Sequence, residues 1–360
     1  MLGRTLFILV NLLFSAAALG ASHGVVLQYH HVSEHSPPST SVSPAVFKRQ
    51  MQFLKDNGFT VWPLSKLVDQ LLQDQPVPDG TVAITFDDAY LDIRDQAVPV
   101  LQQHNFPFTL FVATDFVDQG QKGYLSWDDL RALKRQGAEL AGHTRAHAHL
   151  LRRQSGEDEA AWLDRIKAQI DGAETLLQEK TGEQLRLFAF PYGEADETLI
   201  AKVKEWGYVG FGQQSGALSK ALLQGGFAPR FPFNVAYSDM TEFQHKASSL
   251  PLPVKTERAD ATIWSKAVRP RWELGVAPQV KSLSCYVTGQ AAADVQKAKD
   301  GVFHVRAKKD IGVGRSRYNC TSPVAAEDLQ NLTLKLKPRF YWYSHQWIRK
   351  QDDGEWYPEP

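Results

Sequence analysis

The 360-residue chain has little cysteine, no excess of either charge and, past its first residues, no long apolar run. Each lack excludes something. Lys and Arg number 40, as do Asp and Glu, so the formal net charge is zero and nothing points to a nucleic-acid partner held by electrostatics. The two cysteines, Cys285 and Cys320, have no CxxC spacing, so they are not expected to form a thiolate metal site by themselves. No later segment reaches the ~20 apolar residues of a membrane-spanning helix. No internal repeat or low-complexity tract appears.

The first residues read as a processing signal. Residues 1–4 give a short positive start, residues 5–14 are apolar except for Asn11, and small residues fill 15–21. This is the layout of a secretory signal peptide over residues 1–21, cleaved near Gly20 or Ala21; the competing reading is an uncleaved anchor. The protein is therefore expected to be exported, periplasmic or secreted, with no membrane span after signal removal. Disulfides persist in such a setting, and Cys285 and Cys320 are expected to pair within one small domain, two buried free thiols being the alternative. Asn319-Cys320-Thr321 and Asn331-Leu332-Thr333 match glycosylation sequons, which matter only in a host that glycosylates exported proteins.

About 340 residues follow the signal, enough for two domains. From Gly24 to about Gly212, short apolar runs alternate with amphipathic helical patterns. Strands are predicted at 25–29, 81–86, 108–113, 139–142, 185–190 and 208–212, and helices at 44–57, 93–104, 127–136, 160–179 and 195–206. Ser126 before Trp127-Asp128-Asp129 is a helix cap with an acidic first turn. Gly137 and Gly207 fall where left-handed C-caps are wanted. Such alternation predicts an α/β fold with a parallel sheet or barrel. Residues 248–253, with two prolines, read as a linker or as the last ordered edge of this first domain. Beyond them, runs at 272–274, 282–287, 302–307, 332–336 and 341–347 predict a small all-β sandwich held by the disulfide. The division is signal 1–21, first domain 22–255 and β-rich domain 256–360. The aromatics of 340–347 suit either a sandwich core or stacking on sugars.

Three motifs close predicted strands, at the rim where α/β barrels place active sites. Asp87 and Asp88 leave the second strand in Thr85-Phe86-Asp87-Asp88. Adjacent carboxylates point in different directions, so one can bind a metal while the other stays free as a base; a loop-stabilising pair is the bland alternative. His143-Thr144-Arg145-Ala146-His147 sets two imidazoles four residues apart, able to converge on one ion. With one carboxylate they form a two-His, one-carboxylate face that suits zinc and admits iron, cobalt or nickel. His149 could replace one of them, but reads better as a spare surface histidine. Phe188-Ala189-Phe190-Pro191-Tyr192-Gly193 ends in a turn that can present a backbone N–H to an anionic intermediate, or be an ordinary turn.

Taken in order, TFDD, HTxxHxxL (His143 to Leu150) and FxxPYG resemble the polysaccharide deacetylases of carbohydrate esterase family four, the NodB-homology domain. Leu125-Ser126-Trp127 ahead of the histidines agrees. Val26 to Val32, reading VLQYHHV, is similar to the Tyr-His opening of the branch of poly-β-1,6-N-acetylglucosamine N-deacetylases. The resemblance covers residues 24 to about 250. It implies a distorted (β/α)7 barrel that hydrolyses the acetamides of an N-acetylated polysaccharide or oligosaccharide with a divalent metal, zinc foremost. It also implies Asp87 as general base, Asp88, His143 and His147 as metal ligands, and the main chain of Tyr192 in the oxyanion hole. Three departures stand out. Ala189 occupies the place of an arginine that orients the base in many members, Ala89 replaces a glycine, and the late leucine-histidine motif of the general acid has no match. His30 or His31 could supply that acid, or merely buttress the metal. A non-catalytic glycan-binding protein on the same fold and a metal-dependent O-acetyl esterase are the rival readings.

Overall fold

The computed structural model describes residues 23–358, so the signal expected over 1–21 lies outside the described residues. The curled sheet is built mainly from the parallel strands β1 (His23–Tyr29), β2 (Thr81–Asp87), β3 (Thr109–Val112), β4 (Glu139–Gly142), β5 (Leu187–Ala189), β6 (Val209–Phe211) and β7 (Phe231–Pro232). They pair in the order β7-β1-β2-β3-β4-β5-β6, all parallel. The sheet curls until one segment serves both edges, Ala228 bridging to Phe211 while Phe231 pairs with Leu27. This is the α/β class read from the alternation. The expected strands appear: the first two run one or two residues longer, Glu139–Gly142 matches, and the other three are trimmed by one or two residues at their ends.

Side chains alternate between two faces because a strand repeats every two residues. Val25, Leu27, Val82, Ile84, Phe86, Leu110 and Val112 face outward. They pack on α1 (Pro44–Asp56) through Phe47, Met51 and Leu54, with further cover from Leu101, Leu130 and Leu133. Val26, Ala83, Phe111, Ala141, Ala189 and Phe211 face inward, where α2 (Leu64–Leu72) closes one end with Leu64, Leu67 and Leu71. The helix expected over 93–104 begins as a π-turn, Ile93–Ala97, before α3 (Val98–His104). Pro99 has no N–H to give Asp95, so a regular i→i−4 ladder cannot run through it. α4 (Trp127–Arg135) starts on a capping box in which Ser126 and Asp129 exchange hydrogen bonds. α5 (Glu159–Thr181) and α6 (Glu197–Glu205) complete the outer layer around β4 to β6.

Two antiparallel-rich sheets follow. One contains β8 (Leu250–Pro251), β10 (Ile263–Trp264), β12 (Ser284–Val287), β15 (Gly314–Pro323) and β16 (Phe340–Arg349); the other contains β9 (Val254–Ala259), β11 (Arg271–Val276), β13 (Asp294–Lys297) and β14 (Val302–Arg306). Trp272, Phe303, Tyr318 and Trp347 fill the space between them. Cys285 and Cys320 sit directly opposite on β12 and β15 and form a disulfide. Residues 248–253 are an ordered edge, since Leu250–Pro251 pair with Tyr341–Trp342. The strand expected over 332–336 does not form. Leu332 and Leu334 are buried, but the Leu334 N–H donates to the Asp79 carboxylate at 2.7 Å instead of a neighbouring strand.

The other face of the β15–β16 sheet lies on the barrel. Trp342 meets Phe231 edge-on at 5.0 Å, and Ile348 packs with Leu150, Phe190 and Tyr208. Below the barrel, Arg339 holds Asp79 through two bonds of 2.8 and 2.9 Å and donates to the Ser248 carbonyl. His23 lies 3.7 Å from Asp79 in the same buried patch. Burial, only partly offset by the Asp79 carboxylate, pulls the His23 imidazole down to about 4. The unfolded chain therefore takes up a proton near pH 6.5 that the folded chain refuses until about pH 4, and stability falls as pH drops through that window. Denaturant unfolding at pH 7 and pH 5 should show the loss, and His23→Gln should lose less than the native chain.

Candidate metal centre

Parallel register brings the strand ends to one rim. Tyr29 aligns with Phe86, Asp87 with Phe111, Val112 with Gly142 and Gly142 with Phe188. The residues that follow these ends, His30, Asp88, His143 and the Pro191–Gly193 turn, are thereby gathered from distant parts of the chain. Metal-capable atoms of Asp88, His143 and His147 lie within 4.8 Å of one another. His143 Nε2 and His147 Nε2 stand 3.4 and 3.3 Å from the same oxygen, Asp88 Oδ1.

The hydrogen-bond pattern says what belongs between them. His143 Nδ1 lies 2.7 Å from the Ala189 carbonyl, which only accepts, so this nitrogen carries the proton and Nε2 of the neutral ring is a bare lone pair. Both His143 Nε2 and Asp88 Oδ1 are buried without a hydrogen-bond partner. Acceptors converging in this way are matched by a proton or by a cation. A proton on His143 answers for one contact; burial opposes it, while the Asp88 and Asp87 carboxylates raise the His143 pKa. A divalent ion answers for all three ligands, and the donor set of two imidazoles and one carboxylate fits it. Burial, against the pull of Asp88, lowers His147 to about 4 and keeps its ring neutral for such a role. Burial alone would raise Asp88, but His147 and His143 reverse it and hold the carboxyl ionised.

Asp87 points the other way, into the barrel. Arg230, with its side chain fully buried, donates to Oδ1 at 2.6 Å and to Oδ2 at 2.8 Å; Gln28 adds a 2.7 Å bond to Oδ2. A carboxylate has about four lone-pair sites, so one remains on Oδ1. Burial pushes the Asp87 pKa up, yet Arg230, followed by His143 and His30, outweighs it and keeps the group ionised. Arg230 thus takes the place left by Ala189, a small inward residue with no charge to offer. Its Nε is anchored on the Gly212 carbonyl at 2.9 Å. Sequence reading missed it. The available signal was Ala228-Pro229-Arg230-Phe231-Pro232, a charged residue inside an apolar, strand-like run.

The two histidines after β1 part company. His30 Nε2 approaches Asp87 Oδ2 to 3.8 Å, and burial lowers its pKa. His31 turns outward, bound through Nδ1 to Asp92 at 2.6 Å and stacked on Tyr90 at 3.6 Å. It lines a cleft of about 630 Å³ with Tyr90, Asp92, Lys122 and Tyr124. His149 is not the spare surface residue expected. Its Nδ1 is 2.9 Å from the buried Glu194, and its ring stacks on Tyr192 at 3.9 Å.

Backbone strain concentrates here. Asp88 (φ 73°), Ala89 (φ 63°), Thr144 (φ 63°), His147 (φ 51°) and Tyr192 (φ 59°) all adopt the left-handed region that favours glycine. Such residues cost about 1–2 kcal/mol each and persist where their surroundings over-determine them. The Ala89 angle explains why a glycine is usual at that position.

Residues 74–211 match the family described as polysaccharide deacetylase. The chain is 27% identical over 196 residues to the Bacillus subtilis protein YxkH, covering 54% of this chain and 66% of that one. It is 22% identical over 219 residues to the poly-β-1,6-N-acetyl-D-glucosamine N-deacetylase of Escherichia coli, covering 51% of this chain and 33% of the relative. The chain thus spans a third of that enzyme's length. The structure of IcaB from Ammonifex degensii shares the fold with a TM-score of 0.55 and 22% identity, covering 64% of this chain and 98% of that one.

Removing Arg230 strands a buried carboxylate. Arg230→Met should cost about 3–5 kcal/mol in denaturant unfolding, and adding Asp87→Asn should restore part of it, because the double variant buries no lone charge. Additive losses in that cycle would show that the two side chains are not coupled.

Proposed function

We propose that this chain, whose residues 74–211 match the polysaccharide deacetylase family, is a metal-dependent hydrolase that removes N-acetyl groups from amino-sugar residues of a polysaccharide outside the cytoplasm. The observation that carries the reading is the pair of orphaned buried acceptors, Asp88 Oδ1 and His143 Nε2, beside a separate carboxylate held off them by Arg230. Asp88, His143 and His147 would hold a divalent ion, zinc foremost. When bound, such an ion would supply Lewis acidity toward an acetamide carbonyl and lower the pKa of a coordinated water to about 7.

The protein's own groups do the rest. Asp87, ionised and with its remaining lone pair on Oδ1, accepts the proton of the attacking water. Gln28 and Arg230 fix its direction. The Tyr192 N–H, in its left-handed turn, faces the oxyanion, a contact typically worth about 3 kcal/mol. His30, 3.8 Å from Asp87, takes up the proton that the Asp87 carboxyl has gained and delivers it to the departing amine as the C–N bond breaks. Acetate and a free amino sugar are the products. Residues 22–255 are the deacetylase domain and 256–360 the β-rich domain in this reading. The disulfide between Cys285 and Cys320 supports export. No helix among the described residues is long and apolar enough to cross a membrane.

Acetate release from N-acetylglucosamine oligomers is the direct test, with O-acetylated glycan as the comparison and a chelator as control. The native protein should release acetate from the first substrate and stop when metal is removed. Asp87→Asn should keep its metal and lose about 10²–10⁴-fold in kcat. His143→Ala should lose stoichiometric metal by elemental analysis. Native rates in Asp87→Asn, or activity that survives chelation, would sink the assignment.

A further inference from the structure

The family match ends at residue 211, yet two residues far beyond it reach the rim of the site. Glu194, directly after Tyr192-Gly193, is fully buried. Its carboxylate meets three donors from three parts of the chain. His149 Nδ1, on the loop that carries His147, lies at 2.9 Å; Arg315 on β15 approaches to 3.5 Å; the Tyr357 hydroxyl, near the C-terminus, donates directly. Burial raises the Glu194 pKa, but His149 and Tyr357 more than offset it, so the group stays charged. A buried carboxylate is tolerated only with such partners, which makes it a rigid tie point.

The tie acts on groups assigned to chemistry. The Tyr192 ring lies nearly parallel to the His149 imidazole, 6° apart at 3.9 Å, and its edge meets His147 at 4.5 Å. The Arg315 guanidinium covers Tyr192 at 5.4 Å. On the loop after His149, Arg152 sits over the rings of Trp356 and Tyr357 at 5.6 and 5.2 Å. Tyr192 and His147 both hold left-handed backbone angles, which need external contacts to persist. One such contact, Arg315 over the Tyr192 ring, comes from the β-rich region, and Tyr357 reaches the same turn through Glu194.

We propose that Arg315 and Tyr357, acting through Glu194 and His149, are positioning residues for Tyr192 and His147, so that the C-terminal β region is part of the working site. This rests on the roles given to Tyr192 and His147 under Proposed function. The full-length protein carries the test, with Glu194→Gln, Tyr357→Phe and the pair Cys285→Ser, Cys320→Ser. Three quantities are read: zinc affinity by competition with a chromogenic chelator, kcat and KM on N-acetylglucosamine oligomers, and Tm. Glu194→Gln should weaken zinc binding and lower kcat by about 10–100-fold, with KM within about twofold, the usual scale for outer partners of metal ligands. Tyr357→Phe, which removes one hydroxyl, should lower kcat about tenfold. The cysteine pair should lower Tm while leaving zinc affinity and kcat unchanged, because it loosens the sandwich without touching Glu194. Native zinc affinity and kcat in both Glu194→Gln and Tyr357→Phe would overturn the proposal, as would an equal loss of kcat in the cysteine pair. If the native protein releases no acetate but zinc affinity still falls in Glu194→Gln, the positioning role stands and the deacetylase reading fails.

Discussion

Inside the barrel, Arg230 and Asp87 form an ion pair whose side chains are both shut off from water. Taking two charges out of solvent costs several kcal/mol each, and their attraction repays it only when geometry is good and further hydrogen bonds exist. Both conditions are met: the guanidinium is bidentate, its Nε finds the Gly212 carbonyl, and Gln28 serves the second carboxylate oxygen. The surroundings follow from this pair. Ala83, Ala141 and Ala189 are small where the interior must leave room, and the chain returns at 228–232 to bring Arg230 in and close the sheet.

With Asp87 committed inward, its neighbour is free to face the rim. Adjacent residues at a strand end cannot share a direction, and the left-handed turn at Asp88 and Ala89 sharpens the divergence. One carboxylate is therefore charged, dry and oriented by a fixed cation, while the other stands among imidazoles at the rim. His143 is set by the Ala189 carbonyl, so even the residue that lacks the arginine contributes, through its backbone. Two carboxylates in sequence become two different chemical groups by environment alone.

The β-rich region is more than an appendage to the barrel. Its β15–β16 sheet buries one face against the disulfide-containing core and lays the other on the barrel. Asp79 and Arg339 fasten the two bodies at one end, and Glu194 with Arg315 and Tyr357 at the other. Both fastenings are buried charges with several partners, which tolerate little displacement. A site on such a frame can hold strained backbone at low mobility.

Much of this was legible in the sequence because it is local. Period-two and period-3.6 patterns marked the strands and helices, Ser126 marked a cap, and the motifs Asp87-Asp88 and His143 to His147 each span only a few residues. Where a local rule met a competing partner it failed: the alternating leucines at 332–336 looked like a strand until Asp79 took the Leu334 N–H. The missing arginine was unreadable for a plainer reason. Arg230 meets Asp87 across 143 residues of chain, and no spacing rule spans that distance. His30 and His31 are equivalent in sequence, and only the pleat at the end of β1 sends one to Asp87 and the other to Asp92. Glu194, Arg315 and Tyr357 are likewise unremarkable as letters. The sequence by itself determined which residues could carry the chemistry. The tertiary structure alone decided how they are oriented and held, because burial and long-range pairing, not residue type, set the charge and direction of each group.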